Sequence, residues 1–179
     1  MSALAFWKAM VADKSGFLER IIALLDAGGF PYCVIGGVAV NAYAPTMVTQ
    51  DLDIVLAPDD VARARSLLSE HFKVQEFEHS INVYDPGSKL QVQIQKDPEL
   101  GLIIGNARRM DVDDMDLPVA APEDLFRLKA AAAMEPTRRN MKRAKDNMDL
   151  ARLITEFPHL RALLPEELVE DVTKLLDAP

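Results

Sequence analysis

Val34-Ile35-Gly36-Gly37-Val38-Ala39-Val40-Asn41-Ala42-Tyr43-Ala44-Pro45-Thr46-Met47-Val48-Thr49-Gln50-Asp51-Leu52-Asp53-Ile54-Val55-Leu56 joins a glycine pair to an Asp-x-Asp through one short connection. The apolar run Tyr32 to Ile35 reads as a buried strand, and a helix over about Val38 to Tyr43 ends near Pro45. Asp51 to Leu56 alternates, with Asp51, Asp53 and Val55 on one face and Leu52, Ile54 and Leu56 on the other. Burying the Leu/Ile face fixes the register and turns both aspartates outward together. Paired glycines let a phosphate approach backbone amides. Two carboxylates on one strand face are placed to share a divalent cation. The stretch therefore supplies both halves of a metal–nucleotide site.

Outward from it, the pattern predicts helices, then a mixed sheet with one crossover helix, then a helical C-terminal part. Leu4, Phe6, Trp7 and Met10 give a loose apolar stripe, and Phe17, Leu18, Ile21, Ile22, Leu24 and Leu25 a stronger one that stops at Gly28-Gly29. Pro58-Asp59-Asp60 opens the crossover helix, which ends near His71. Strands are expected at Phe72 to Phe77, Ser80 to Tyr84 and Lys89 to Gln95, with a turn at Asp85-Pro86-Gly87-Ser88. Weaker strand signals lie at Leu102 to Ile104 and Leu117 to Ala120. Pro122-Glu123-Asp124 starts a helix, followed by helices over about Thr137 to Glu156 and Pro165 to Leu176. The expected class is α+β, with an α/β core over 1–120 carrying the N-terminal helices and a helical part over 121–179.

The 179 residues suffice for a substantial core. Net charge is −8, which argues against a broad non-specific grip on nucleic acid. Thr137 to Lys145 nevertheless holds five basic residues and no acid, a solvated helix face or a patch for a phosphate-rich partner. The lone Cys33 excludes an internal disulfide and reads as a small buried hydrophobe. No run is long enough to cross a bilayer, and no basic start precedes an apolar segment, so a cytoplasmic protein without a membrane partner is expected. Asp111-Val112-Asp113-Asp114-Met115-Asp116 lacks the glycine and glutamate of a calcium loop and reads as a solvated loop. His71, His79 and His159 show no ligand spacing.

The order strand, Gly36-Gly37, helix, Asp51-Leu52-Asp53 strand resembles the nucleotidyltransferase superfamily related to DNA polymerase beta. It is similar to the AbiEii-like and minimal nucleotidyltransferase branches, which include toxins of type IV toxin–antitoxin systems. Tyr43 and Thr49 fit the same pattern. Ala121-Pro122-Glu123-Asp124-Leu125-Phe126-Arg127-Leu128-Lys129 resembles the family's Pro-Glu-Asp-Leu-x-x-Leu-Lys helix. Arg143-Ala144-Lys145-Asp146-Asn147-Met148-Asp149 resembles its Arg-x-Lys-Asp-x-x-Asp helix. The resemblance implies a nucleotidyltransferase-type sheet and transfer of a nucleoside monophosphate from a triphosphate, with Mg2+ or Mn2+, to a hydroxyl of a tRNA, a protein or a small molecule. A cognate antitoxin is a possible partner.

Under that resemblance Asp51 and Asp53 hold the metal, and Asp51, Asp53, Lys129 and Asp146 carry the chemistry. Nucleotide contacts come from Gly36, Gly37, Asn41, Thr49, Lys129, Arg143 and Lys145. Asp146 and Asp149, one turn apart, share a helix face that would orient an acceptor or complete the pocket; a surface charge face is the alternative for Lys145 and Asp146. Two positions depart from the family. Met47 stands where an arginine usually precedes the first aspartate, and Gln93 stands at the expected place of a third carboxylate. A glutamine is neither a general base nor a strong magnesium ligand. A non-catalytic protein that binds nucleotide or a partner is therefore the second hypothesis.

Overall fold

A computed structural model describes residues 9, 12–112 and 114–177. The expected stripe of Leu4, Phe6, Trp7 and Met10 lies outside the described residues. The first described helix, α1 (Phe17–Ala27), buries Phe17, Leu18, Ile21, Ile22 and Leu25. The Asp13 carboxylate accepts from the Phe17 and Leu18 amides at 3.0 and 3.2 Å, satisfying donors that a helix start leaves open.

Strand β1 (Tyr32–Ile35) is buried at every residue and passes directly into the short helix α2 (Gly36–Asn41). Strand β2 (Asp51–Leu56) returns antiparallel beside β1, with Ile35 opposite Asp53. A 3-10 turn (Pro58–Asp60) and helix α3 (Val61–Ser69) lead to β3 (Lys73–Glu76), β4 (Ser80–Tyr84) and β5 (Gln91–Gln95). The hairpin β6 (Arg108–Val112) and β7 (Met115–Val119) completes a mixed seven-stranded sheet in the order β3-β4-β5-β2-β1-β7-β6. Strand β5 runs parallel to β2, and β7 parallel to β1. Helices α4 (Pro122–Met134), α5 (Asn140–Glu156) and α6 (Glu166–Leu176) follow. The α+β class expected from the sequence is what the chain adopts. One cluster of buried apolar side chains includes Leu52, Ile54, Val92 and Ile94 of the sheet with Leu125, Phe126 and Leu150 of α4 and α5.

Three local expectations are corrected. Leu102 to Ile104 is not a strand. It lies in a 3-10 segment (Pro98–Asn106), started by Pro98 and by the Asp97 side chain accepting from the Glu99 amide at 3.0 Å. Of the acid run, Asp111 and Val112 end β6 and Met115 and Asp116 begin β7, strand rather than loop, with Asp111 opposite Asp116. Asp114 turns the chain there in a left-handed conformation, its amide donating to Asp111 Oδ1 at 3.0 Å. Val55, expected beside the aspartates on the outer face, is fully buried, because the Pro98–Asn106 segment packs on β2.

Candidate active site

Leu52 and Ile54 are fully buried, so alternation along β2 leaves Asp51 and Asp53 half-buried at the mouth of a cleft of about 310 Å3. Its floor is the junction of β1 and α2. Gly36 makes that turn at φ +72°, and a Cβ there would stand 2.3 Å from Asp53 Oδ2. Glycine is required twice over, once for the left-handed backbone and once to let the carboxylate lie against it. A Cβ on Gly37 would meet Thr49 Oγ1 at 3.2 Å and Lys145 Nζ at 3.6 Å. The second glycine thus sits between the loop that delivers Asp51 and the cationic face of α5.

Strand β5 forms the other side of the acidic pair. The parallel register sets Gln93 opposite Asp53, the slot expected for it from the sequence. Gln95, on the same strand face, donates from Nε2 to Asp53 Oδ1 at 3.4 Å. Among the described residues no group of three or more His, Cys, Asp or Glu side chains is clustered for a metal. The site is two carboxylates with amides beside them. Burial, and then the charge of Asp51, push the Asp53 carboxyl up to about 6; Lys129, the Gln95 bond and Lys142 pull the other way. The acidic pair is therefore incompletely neutralised by the protein. A divalent cation suits that donor set, since Mg2+ takes one or two carboxylates and completes its shell with water and phosphate.

Helices α4 and α5 and the connection between them build the opposite wall, where Lys129, Arg138, Lys142 and Lys145 line the cleft. Asp146 is only 2% exposed and Asp149 is 0% exposed. Lys129 Nζ lies 3.2 Å from Asp146 Oδ1 and 2.7 Å from Asp149 Oδ2. Arg138 pairs with Asp146 at 2.7 Å, and Arg152 with Asp149 at 2.7 Å. The surface-face alternative is thereby corrected for Asp146, which is buried among cations. Leu100, Leu125 and Leu128 supply an apolar side to the same cleft.

Of the residues singled out in the sequence, Gly36, Gly37, Thr49, Asp51, Asp53, Lys129, Lys145 and Asp146 line one cleft. Asn41 and Arg143 are not brought to it. Asn41 clasps the α2–β2 loop, donating to the Met47 carbonyl at 2.8 Å and accepting from the Met47 amide at 3.0 Å. Arg143 donates to the carbonyls of Ala133 and Glu135 at 2.9 Å each, closing the C-terminal end of α4. Sequence reasoning missed Gln95, Arg138 and Lys142 as individual lining residues. Gln95 was findable two positions beyond Gln93, and the other two lie in the basic run already noted.

No family model matches the chain, and no curated protein matches it. Solved structures do. One is ANT(2'')-Ia in complex with adenylyl-2''-tobramycin, 12% identical, covering 88% of this chain and 95% of that one at a TM-score of 0.61. Another is the lincosamide antibiotic adenylyltransferase LnuA bound to lincomycin, 14% identical over 78% of this chain and 96% of that one, TM-score 0.55. A third is an antigenic nucleotidyltransferase-like protein from Paracoccidioides brasiliensis, 17% identical over 88% and 90%, TM-score 0.54. Identities this low speak to architecture, and the architecture they share with this chain is the nucleotidyltransferase fold.

Proposed function

We propose that this chain is a nucleotidyltransferase that moves a nucleoside monophosphate from a nucleoside triphosphate to a hydroxyl, with Mg2+ or Mn2+ held by Asp51 and Asp53. The observation that carries this reading is the juxtaposition across one cleft of an under-neutralised aspartate pair, a glycine floor and a cationic helix wall. A cation held there would supply Lewis-acid stabilisation of the charge that develops on the phosphoryl group. The residues of the chain do the rest. Gly36 and Gly37 leave room for phosphate against the backbone. Lys142 and Lys145 line the cleft and form no ion pair with a carboxylate among the described residues, so their charge is available to a triphosphate. Lys129 is held between two carboxylates and presents a fixed rather than a roaming charge. The acceptor oxygen attacks the α-phosphorus, the bond to pyrophosphate breaks, and the acceptor's proton leaves to solvent, because Gln93 offers no base.

The acceptor class has two lines of support. Two solved proteins of the same fold are named for antibiotics, which favours a small hydroxyl compound. The AbiEii-like motifs favour tRNA or protein, and with them a toxin role and a cognate antitoxin. Labelled triphosphates with Mg2+ and each acceptor class in turn test the reading: transfer of label is the expected result. A second reading, a non-catalytic nucleotide-binding protein, draws on Gln93 standing opposite Asp53. Nucleotide binding in calorimetry without transfer to any acceptor would favour it.

A further inference from the structure

Arg152 lies on α5 outside the cleft lining, yet it ties two parts of the site together. Its Nη1 donates to Asp149 Oδ1 at 2.7 Å. Its Nη2 donates to Asn41 Oδ1 at 2.8 Å and to the Pro45 carbonyl. Asn41 in turn holds Met47 by both its amide and its carbonyl. One guanidinium thus grips the loop that runs on to Thr49 and Asp51, and also the carboxylate that holds Lys129. A lysine could not do this, since only the fork of arginine reaches both at once.

The charges show what the arrangement achieves. Lys129, Arg138 and Arg152 surround Asp146 and Asp149, three cations to two buried carboxylates. The cluster therefore keeps one positive charge in excess, and the ammonium of Lys129, shared between both carboxylates, is one of its members that line the cleft. Without Arg152, the same ammonium would be consumed by Asp149.

We infer that Arg152 is a positioning residue for nucleotidyl transfer: it neutralises Asp149 so that Lys129 keeps a net positive charge toward the triphosphate, and it clamps the α2–β2 loop so that Thr49 and Asp51 stay in register with it. This rests on the transfer reading above.

The test compares wild type, Arg152→Met, and the double variant Arg152→Met/Asp149→Asn, which restores one positive charge in excess. Calorimetry with ATP and Mg2+, transfer rates and thermal melts are measured together, and every value is taken per folded molecule. Arg152→Met should weaken ATP binding about 10-fold and lower kcat/KM about 100-fold, the scale on which a small misplacement acts. The double variant should bind ATP within about 3-fold of wild type, while its kcat stays depressed because the loop clamp is still missing. Wild-type ATP affinity in Arg152→Met would overturn the inference and leave the transfer reading standing. A double variant that binds as poorly as Arg152→Met would also overturn it, since a merely structural arginine is not replaced by restoring charge. If Arg152→Met does not fold, the double variant alone decides, by whether its affinity matches wild type. Wild type that binds no nucleoside triphosphate would overturn both the inference and the reading beneath it.

Discussion

Two pairs of aspartates stand on opposite sides of one cleft, and the fold treats them in opposite ways. Asp51 and Asp53, two apart on a strand, face the opening, and the carboxyl of Asp53 is pushed up to about 6 by burial and by its neighbour's charge. Asp146 and Asp149, three apart on a helix, are more deeply buried but answered by three cations. Both spacings put two carboxylates on one face. What separates them is company. A pair left short of positive charge is a place for a cation to enter; a pair saturated with it is part of the frame.

The contrast is broken most severely by removing the open pair. Asp53→Ala should lower transfer about 1,000-fold or more, the scale of losing a principal charge-stabilising group, while the folded state persists in circular dichroism. If activity survives, the cleft is not where transfer occurs. Next is the saturated pair. Asp149→Ala leaves Arg152 buried without its carboxylate and Lys129 with Asp146 alone, which should cost about 3–5 kcal/mol and lower Tm by roughly 6–20 °C. A melt unchanged by this substitution would mean that the ion pairs are not structural.

A smaller effect has the opposite sign. The Asp53 carboxyl is raised in the fold from 3.8 to about 6, so the folded state holds its proton more tightly than the unfolded chain. Its stabilising contribution is complete below about pH 4 and is lost as pH rises through 6. The metal-free protein carrying Asp53→Asn should therefore be more stable than wild type at pH 7, by at most about 3 kcal/mol. That gap should close as the pH falls toward 4. Urea melts at both pH values measure it. A gap independent of pH would show that the charge of Asp53 is not the source of the strain.

The open pair was legible in the sequence because strand alternation is a two-residue rule, and burial of Leu52 and Ile54 enforces it. The glycine turn was legible for the same local reason. Gln93 was found because its strand is bounded by a clear turn at 85–88 and its register follows from the buried Val92 and Ile94. The saturated pair was only half legible. Spacing put Asp146 and Asp149 on one helix face, but the cations that meet that face from outside the helix are Lys129 and Arg138, and such contacts leave no periodic trace. Asn41 and Arg143 fared likewise, since a polar side chain that closes a loop or a helix end looks, in sequence, like one that meets a ligand. Leu102 to Ile104 read as a weak strand because Ile103 and Ile104 are β-prone, whereas Pro98 and the Asp97 cap favoured a 3-10 path over Pro98–Asn106.

The difference between the pairs is tested most directly by counting bound manganese with electron paramagnetic resonance, titrating Mn2+ in the presence of ATP. The account predicts one nucleotide-dependent Mn2+ site in wild type, lost in Asp51→Asn and in Asp53→Asn and retained in Asp146→Asn. Manganese binding that survives both strand substitutions, or that disappears with Asp146→Asn alone in a folded protein, would contradict it.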